Sequence, residues 1–238
     1  MPYNVTDTTD ISGPSTDFEK TNAKFARLCQ LMMTVCADLF RDVLHYYIQQ
    51  AELITEMRGI FRNLKSIMNN EQSTLLESYM TLGGNRIPLI TKDLSLLYIL
   101  IRFICNIPPP QTGWGCRPKN DDKSLAGYME RIRILGKTIL DRLEESTEIL
   151  ESDFKDILNN LRTYISEIQK MVFKKDSYAQ AVDELVSLDI NRSERYIFDF
   201  RNLQSKNSNK FYFIYVVILM LYLTILTEAT INISCRLL

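Results

Sequence analysis

LLYILIRFICNIPPPQTGWG, residues 96–115, sets an apolar helical run directly against three prolines, two glycines and the only tryptophan of the chain. Leu94, Leu96, Leu97, Ile99, Leu100 and Ile104 cover every side of the run, the pattern of a helix buried all round at the centre of a bundle. Thr91 is placed to cap its start by accepting from the first free amides. Pro108, Pro109 and Pro110 end it, because a proline nitrogen carries no hydrogen and its ring clashes with the preceding turn. The chain holds only 8 Gly and 7 Pro in 238 residues, so their concentration here leaves the rest poor in turn signals. Long helices follow, and an all-β fold is not expected.

Toward the N-terminus, Phe25, Leu28, Leu31, Met32, Val35, Leu39 and Val43 recur at steps of three and four and predict one face of a long helix. AELITEMRGIFRNLKSIM, 51–68, predicts a second helix that Asn69 and Asn70 break; residues 71–80 predict a short third one, and Gly83-Gly84-Asn85 a turn. Beyond the proline loop, Asp121, Asp122 or Ser124 is placed to cap a helix whose buried face carries Leu125, Tyr128, Ile132, Ile134, Leu135, Ile139, Leu140 and Leu143. From Phe154, a short heptad-like seam runs through Ile157, Leu158, Leu161, Ile165, Ile168, Met171 and Val172, with Ser152 or Asp153 as its cap. Two to three heptads are marginal for a separate coiled coil, so the seam reads as another bundle helix. SYAQAVDELVSL, 177–188, closes the bundle. Residues 1–16 have almost nothing to bury and read as a disordered tail, 17–190 as one helical domain, and 191–210 as a polar linker. The expected fold is all-α: an antiparallel helical bundle followed by a C-terminal apolar helix.

Twenty-eight Lys and Arg against 29 Asp and Glu leave a net charge of −1, so no global field favours a polyanion, and near-neutrality fits protein partners. Five cysteines (Cys29, Cys36, Cys105, Cys116 and Cys235) lack paired spacing, and with a single histidine they cannot build a zinc module. They read as reduced thiols, with Cys105 and Cys116 the pair to bridge under oxidation. No metal and no cofactor is expected. His45 lies in DLFRDVLHYYI beside an apolar helical face and reads as a structural residue, not a general base.

FARLCQL at 25–31, LLYILIRFICNIPPPQTGWG at 96–115, DDKSL at 121–125 and ERIRIL at 130–135 together resemble the HEPN domain of the DAZ-interacting zinc-finger ubiquitin-ligase type. The resemblance covers roughly residues 17–190, and its most specific part is the apolar helix, the proline run, the TGW and the ERIR block. HEPN domains are helical modules associated with nucleotides or RNA. The resemblance implies a structural corner: Pro108, Pro109 and Pro110 end the central helix while Gly113 and Gly115 let Trp114 fold back as an apolar plug on the bundle.

In active members of that family the helix that begins like ERIRIL carries an Arg-Asn pair and, a turn later, Tyr-Gly-His; the Arg and His cleave RNA without a metal. Counted from Glu130, Gly136 and Lys137 stand at the Arg-Asn positions here, and Leu140, Asp141 and Arg142 at the Tyr-Gly-His positions. Cleavage through a 2′-hydroxyl needs a group that exchanges protons near neutral pH, as histidine does with its ordinary pKa of about 6.5. Arg142 stays protonated, and Lys137 would need a strongly depressed pKa. The resemblance therefore implies a HEPN domain without nuclease chemistry, and no catalytic residue is carried over. It also implies no ubiquitin transfer, because the RING ligands of full-length ligases of this type are not in this sequence. Gly136-Lys137-Thr138 is no phosphate loop, since position 131 is Arg where that motif needs Gly. Arg131, Arg133, Lys137 and Arg142 make a basic side that Glu130, Asp141, Glu144 and Glu145 offset at helical spacing, the pattern of a solvated, ion-paired face. Family members often pair through the motif helix, which makes Ile134, Leu135, Ile139 and Arg142 the implied dimer face.

FYFIYVVILMLYLTIL, 211–226, is sixteen residues without a charge. It spans about 24 Å as a helix against a hydrocarbon core of roughly 30 Å. Extension to Ile233 supplies the length and takes in Glu228, which is tolerated close to an interface. Lys206 and Lys210 precede the segment, so the positive-inside rule places the helical domain in the cytosol, in a tail-anchored arrangement. A chain whose tail does not insert, because it is a bundle helix or an unselected extension, is cytoplasmic. A prenylated Cys235 in the terminal CRLL and a spanning tail exclude each other, because the cysteine would lie across the membrane.

The sequence thus predicts a non-catalytic HEPN-like interaction module, held to a membrane through residues 211–233 and offering a helix surface to a protein partner or to a second copy. The alternative, not favoured, is RNA binding or divergent metal-independent RNA cleavage through Lys137 or Arg142. A third reading is a fragment of a larger ubiquitin-ligase-like or immune protein.

Overall fold

The computed structural model describes residues 15–81, 89, 91–145, 148–173, 177–187 and 193–205. Every regular element among them is helical. α1 (Ser15–Leu31) passes through a π-helical stretch (Met32–Cys36) into α2 (Ala37–Tyr47), so the predicted long helix is one rod with a bulge in it. α3 (Gln50–Lys65), α4 (Asn70–Thr81), α5 (Leu94–Ile104), α6 (Leu125–Glu144), α7 (Glu151–Val172), α8 (Ser177–Ser187) and α9 (Ser193–Ser205) follow. Ser15 and Thr16 belong to α1 and not to the expected tail. Residues 1–14, the Gly83-Gly84-Asn85 turn and the segment 211–233 lie outside the described residues.

α5 is the central helix that its composition predicts. Leu94, Leu96, Leu97, Tyr98, Ile99, Leu100, Ile101 and Ile104 are all buried, each large apolar side chain contributing about 1.5–3 kcal/mol. α7 turns Ile157, Leu161, Ile165, Ile168 and Val172 into the bundle against α6 and α8 and leaves Met171 outside, so its seam is internal to the chain.

Three sequence expectations change. The caps move: Asp93, not Thr91, caps α5, accepting from the Leu96 amide at 3.0 Å, while the Thr91 hydroxyl accepts from the Asp93 amide at 3.1 Å. A carboxylate makes the stronger, charge-assisted bond to a free helix amide. α7 starts after Leu150 with no side-chain cap, and Asp153 in its first turn is drawn instead to Arg142. Asn69 does more than break α3, because its side chain accepts from the Gln72 amide at 2.8 Å while Gln72 accepts from the Asn69 amide at 3.1 Å, a reciprocal capping box for α4.

The bundle is also only partly antiparallel. α6 and α7 form an antiparallel hairpin, joined near its turn by Arg142–Asp153 at 2.8 Å. α2 and α5 run in the same direction: Arg41 donates to the Thr91 carbonyl at 2.6 Å just before α5 begins, and the Tyr47 phenol feels the Cys105 thiol where α5 ends. α3 and α4 lie between them in the chain.

The expected polar linker at 191–210 contains α9. Tyr196, Ile197, Phe200 and Leu203 share one face at helical spacing and pack on the core, with α9 lying along α1. Phe200 is fully buried, Gln30 donates to the Tyr196 hydroxyl at 3.2 Å, and Arg201 donates to the Leu143 carbonyl at 2.7 Å near the end of α6.

Candidate functional site

The proline loop is tied to α6 at two carboxylates. α5 stops at Cys105, and the next residue, Asn106, takes φ 45, the left-handed turn that ends a helix before any proline is reached. Asp122 then gathers the loop, accepting from the Gln111 amide at 2.9 Å and from the Ser124 amide and hydroxyl at 2.9 and 2.6 Å. Ser124 in turn caps α6 through the Gly127 amide at 3.0 Å. The Ser124 hydroxyl, chiefly, holds the Asp122 carboxyl below its ordinary range, with the Ser124 and Gln111 amides and Arg131 adding to it against the opposing effect of burial.

Gly113 and Gly115 sit at φ 84 and φ 82, where a side chain would be strained, and this reverses the chain around Trp114. Trp114 is half-buried and packs edge-on against Tyr98 of α5, with ring centroids 5.8 Å apart. Glu130, at 0 % exposure, is the second anchor. It accepts from the Tyr98 hydroxyl, from the Gly115 amide and from Arg133 Nε at 2.7 Å. Arg133 also lies over the Tyr98 ring, 5.4 Å from its centroid. Burial, then the bond to Glu130, raises the Tyr98 phenol. The corner expected for Pro108, Pro109, Pro110, Gly113, Trp114 and Gly115 is thus assembled around a fully buried carboxylate.

Farther along α6 the motif positions are occupied by packing. Gly136 is buried, and a Cβ placed on it would come within 2.7 Å of Met32 Cε, so the flexible end of that side chain lies against it and would have to shift to admit one. Lys137 and Asp141 are exposed, Leu140 is half-buried against the core, and Arg142 is ion-paired with Asp153 of α7. The arrangement holds α6 to its neighbours. Of the implied dimer face, Ile139 is at 0 % exposure and Arg142 is engaged within the chain, which leaves Ile134 and Leu135 half-buried. The arginines of the basic side are likewise engaged within the chain: Arg131 donates to the Lys119 carbonyl at 2.6 Å and lies over the Tyr128 and Tyr164 rings, while Arg133 pairs with Glu130. Glu130 therefore does not offset the basic face from solvent, as its spacing predicts, but from inside.

His45 is half-buried, and its Nε2 meets no hydrogen-bond partner among the described residues. Burial chiefly lowers its pKa, Asp42 opposing and Arg41 assisting. Cys29, Cys36 and Cys105 are buried free thiols pushed up to about 12 by burial, whereas Cys116 is exposed. No group of acidic, histidine or cysteine side chains among the described residues is arranged to hold a metal ion.

The roles of Glu130 and Met32 have little signal in the sequence. The one trace is that Glu130 falls among Ala126, Gly127 and Ile132 on the inner side of α6. Among families, the model described as DZIP3/hRUL138-like HEPN matches residues 46–195, from the last turn of α2 into α9. No curated protein and no solved structure matches.

Proposed function

The chain belongs to the DZIP3/hRUL138-like HEPN family, and from that premise we propose that it is a non-catalytic member: a helical interaction module held at a membrane by residues 211–233. The observation that supports the first part is the contact between Gly136 and Met32. Where active relatives place the motif arginine, this chain has a buried glycine with a core thioether against it. A charged side chain there would be driven into the interior at a cost of several kcal/mol. The nearest cation, Lys137, is solvent-exposed, and Arg142 is paired with Asp153.

The anchoring part is carried by the sequence. Among the described residues no helix is long and apolar enough to cross a membrane, so the span would be residues 211–233. The stretch follows α9 in the chain and is apolar on every side when read as a helix, the pattern that supports a role in a membrane.

The catalytic claim is tested by incubating the full chain with labelled single-stranded RNA in EDTA. No cleavage above the protein-free control is expected, with Lys137→Ala and Arg142→Ala indistinguishable from wild type in both cleavage and RNA affinity. Metal-independent cleavage that either substitution abolishes would contradict the reading and restore the ribonuclease alternative.

A further inference from the structure

Between the π-helical stretch, α9 and the turn into α5 lies a cleft of about 240 Å³. Met33 and Leu203 give it apolar walls, and Lys92, Tyr196, Asp199 and Asn202 bring polar groups to it. The rest of the fold holds these walls in place. Lys92 stands between Thr91, whose carbonyl accepts from Arg41, and Asp93, which caps α5. Tyr196, Asp199 and Asn202 recur at helical spacing on α9, which the buried Phe200 and the bond from Arg201 to the Leu143 carbonyl fix against the bundle. Met33 and Thr34 come from the π-helical stretch, and such stretches inside α-helices recur at functional sites.

Its unspent charges set this cleft apart from the others. In the groove between α7 and α8, Arg162 is paired with Asp183 and Lys155 with Glu151. In a neighbouring cleft that shares Leu203, the side chains of Asn69, Gln72 and Asp93 are engaged in capping α4 and α5 and in the Gln72–Asp93 bond at 2.6 Å. Beside Met33, the Lys92 ammonium and the Asn202 amide meet no hydrogen-bond or ion-pair partner among the described residues. Asp199 has the exposed Arg195, 3.7 Å away and one turn back along its own helix, a pairing worth little in solvent. The Tyr196 hydroxyl accepts from Gln30 at 3.2 Å and so keeps its own proton to donate.

A cation and an anion thus face one cleft without being paired to each other, and apolar side chains line the same space. Phosphate would meet repulsion from Asp199, and a hydrocarbon would leave both charges without a partner. The volume lies under the ~300–1,000 Å³ of sites for drug-sized ligands, so the occupant is small. A compact molecule with a carboxylate, an ammonium and a short apolar group meets every one of these conditions.

We propose that this cleft binds a free apolar α-amino acid, its carboxylate taken by Lys92 and Asn202, its ammonium by Asp199 and its side chain laid on Met33 and Leu203. The site goes beyond the interaction-module reading and stands without it; when occupied, it ties α9 to the π-helical stretch.

The test is isothermal titration of the full chain in detergent micelles, with protein-free micelles as the baseline. The ligands are L-leucine, 4-methylpentanoate, which is leucine without its ammonium, and 3-methylbutylamine, which is leucine without its carboxylate. L-Leucine binds saturably, and each analogue binds at least about tenfold more weakly, the loss of one charge-assisted contact. Lys92→Gln weakens leucine about tenfold and leaves 3-methylbutylamine unchanged, while Asp199→Asn weakens leucine about tenfold and leaves 4-methylpentanoate no weaker. A misfolded variant cannot produce this crossed pattern, and neither side chain belongs to the core. No saturable binding of L-leucine or of L-methionine overturns the proposal. So does 4-methylpentanoate binding as tightly as leucine, which makes the cleft a carboxylate site. Equal weakening of all three ligands by either variant also overturns it, because the effect is then structural.

Discussion

Glu130 shows how a single residue changes meaning between sequence and structure. On a helix rich in arginine it reads as one more solvated charge, yet it is fully buried and receives the Tyr98 hydroxyl, the Gly115 amide and Arg133. Removing one partner of a buried charge pair is far costlier than removing a surface charge, and Arg133 retains some solvent, which places the effect at the lower end of that range. Glu130→Ala should destabilise the bundle by about 3 kcal/mol, a fall in Tm of about 6–12 °C for a domain of this size, and should release Trp114 into a more polar setting seen in its fluorescence. Asp122 provides a second check at this scale. Its carboxyl lies below the ordinary 3.8, so the stability it contributes is present above that value and lost as the pH falls through the lower folded pKa. Asp122→Asn should therefore be less stable than wild type at neutral pH, and the difference should close on acidification below about pH 4, as followed by chemical denaturation across that range.

At the scale of elements, what could be read from the chain was what periodicity and proline encode. The all-round apolar run of α5 and the stop after it are unmistakable, because no other segment offers so many buried side chains followed by so rigid a break. α9 was hidden by its composition: Ser193, Glu194, Arg195, Asp199, Arg201 and Asn202 make 193–205 polar on average, while Tyr196, Ile197, Phe200 and Leu203 on one side suffice to bury it. Phe200→Ala should cost about 3–4 kcal/mol as a large-to-small core substitution, whereas a residue in a solvated linker would shift thermal unfolding by less than about 0.5 kcal/mol. The π-helical stretch has no sequence signature: MMTVC continues the apolar period of the helix on either side of it. The caps of α5 and α7 lie two or three residues from the expected ones: Thr91 and Asp93 both suit the role, and only the fold decides which oxygen reaches the Leu96 amide.

At the scale of the whole molecule, helix content and family were legible, and the relative direction of the helices was not. A hydrophobic stripe has no polarity along its axis, so nothing in the pattern of α2 or α5 announces that they run in parallel. The residues expected at the motif positions are placed by packing and pairing within the bundle: a Cβ on Gly136 would meet Met32, and Arg142 pairs with Asp153, contacts that no spacing in the sequence announces. The cleft beside Lys92 was invisible in the sequence because Met33, Lys92 and Asp199 come from three separate parts of the chain. The account joins a helical bundle, with α9 packed along α1, to the proposal that the apolar segment 211–233 is a membrane anchor. The most direct test of that account is alkaline-carbonate extraction of membranes from cells expressing the full chain beside a version truncated after Ser205, which keeps α9. The account predicts the full chain in the pellet and the truncated chain folded and soluble; a full chain released with the soluble fraction would contradict it.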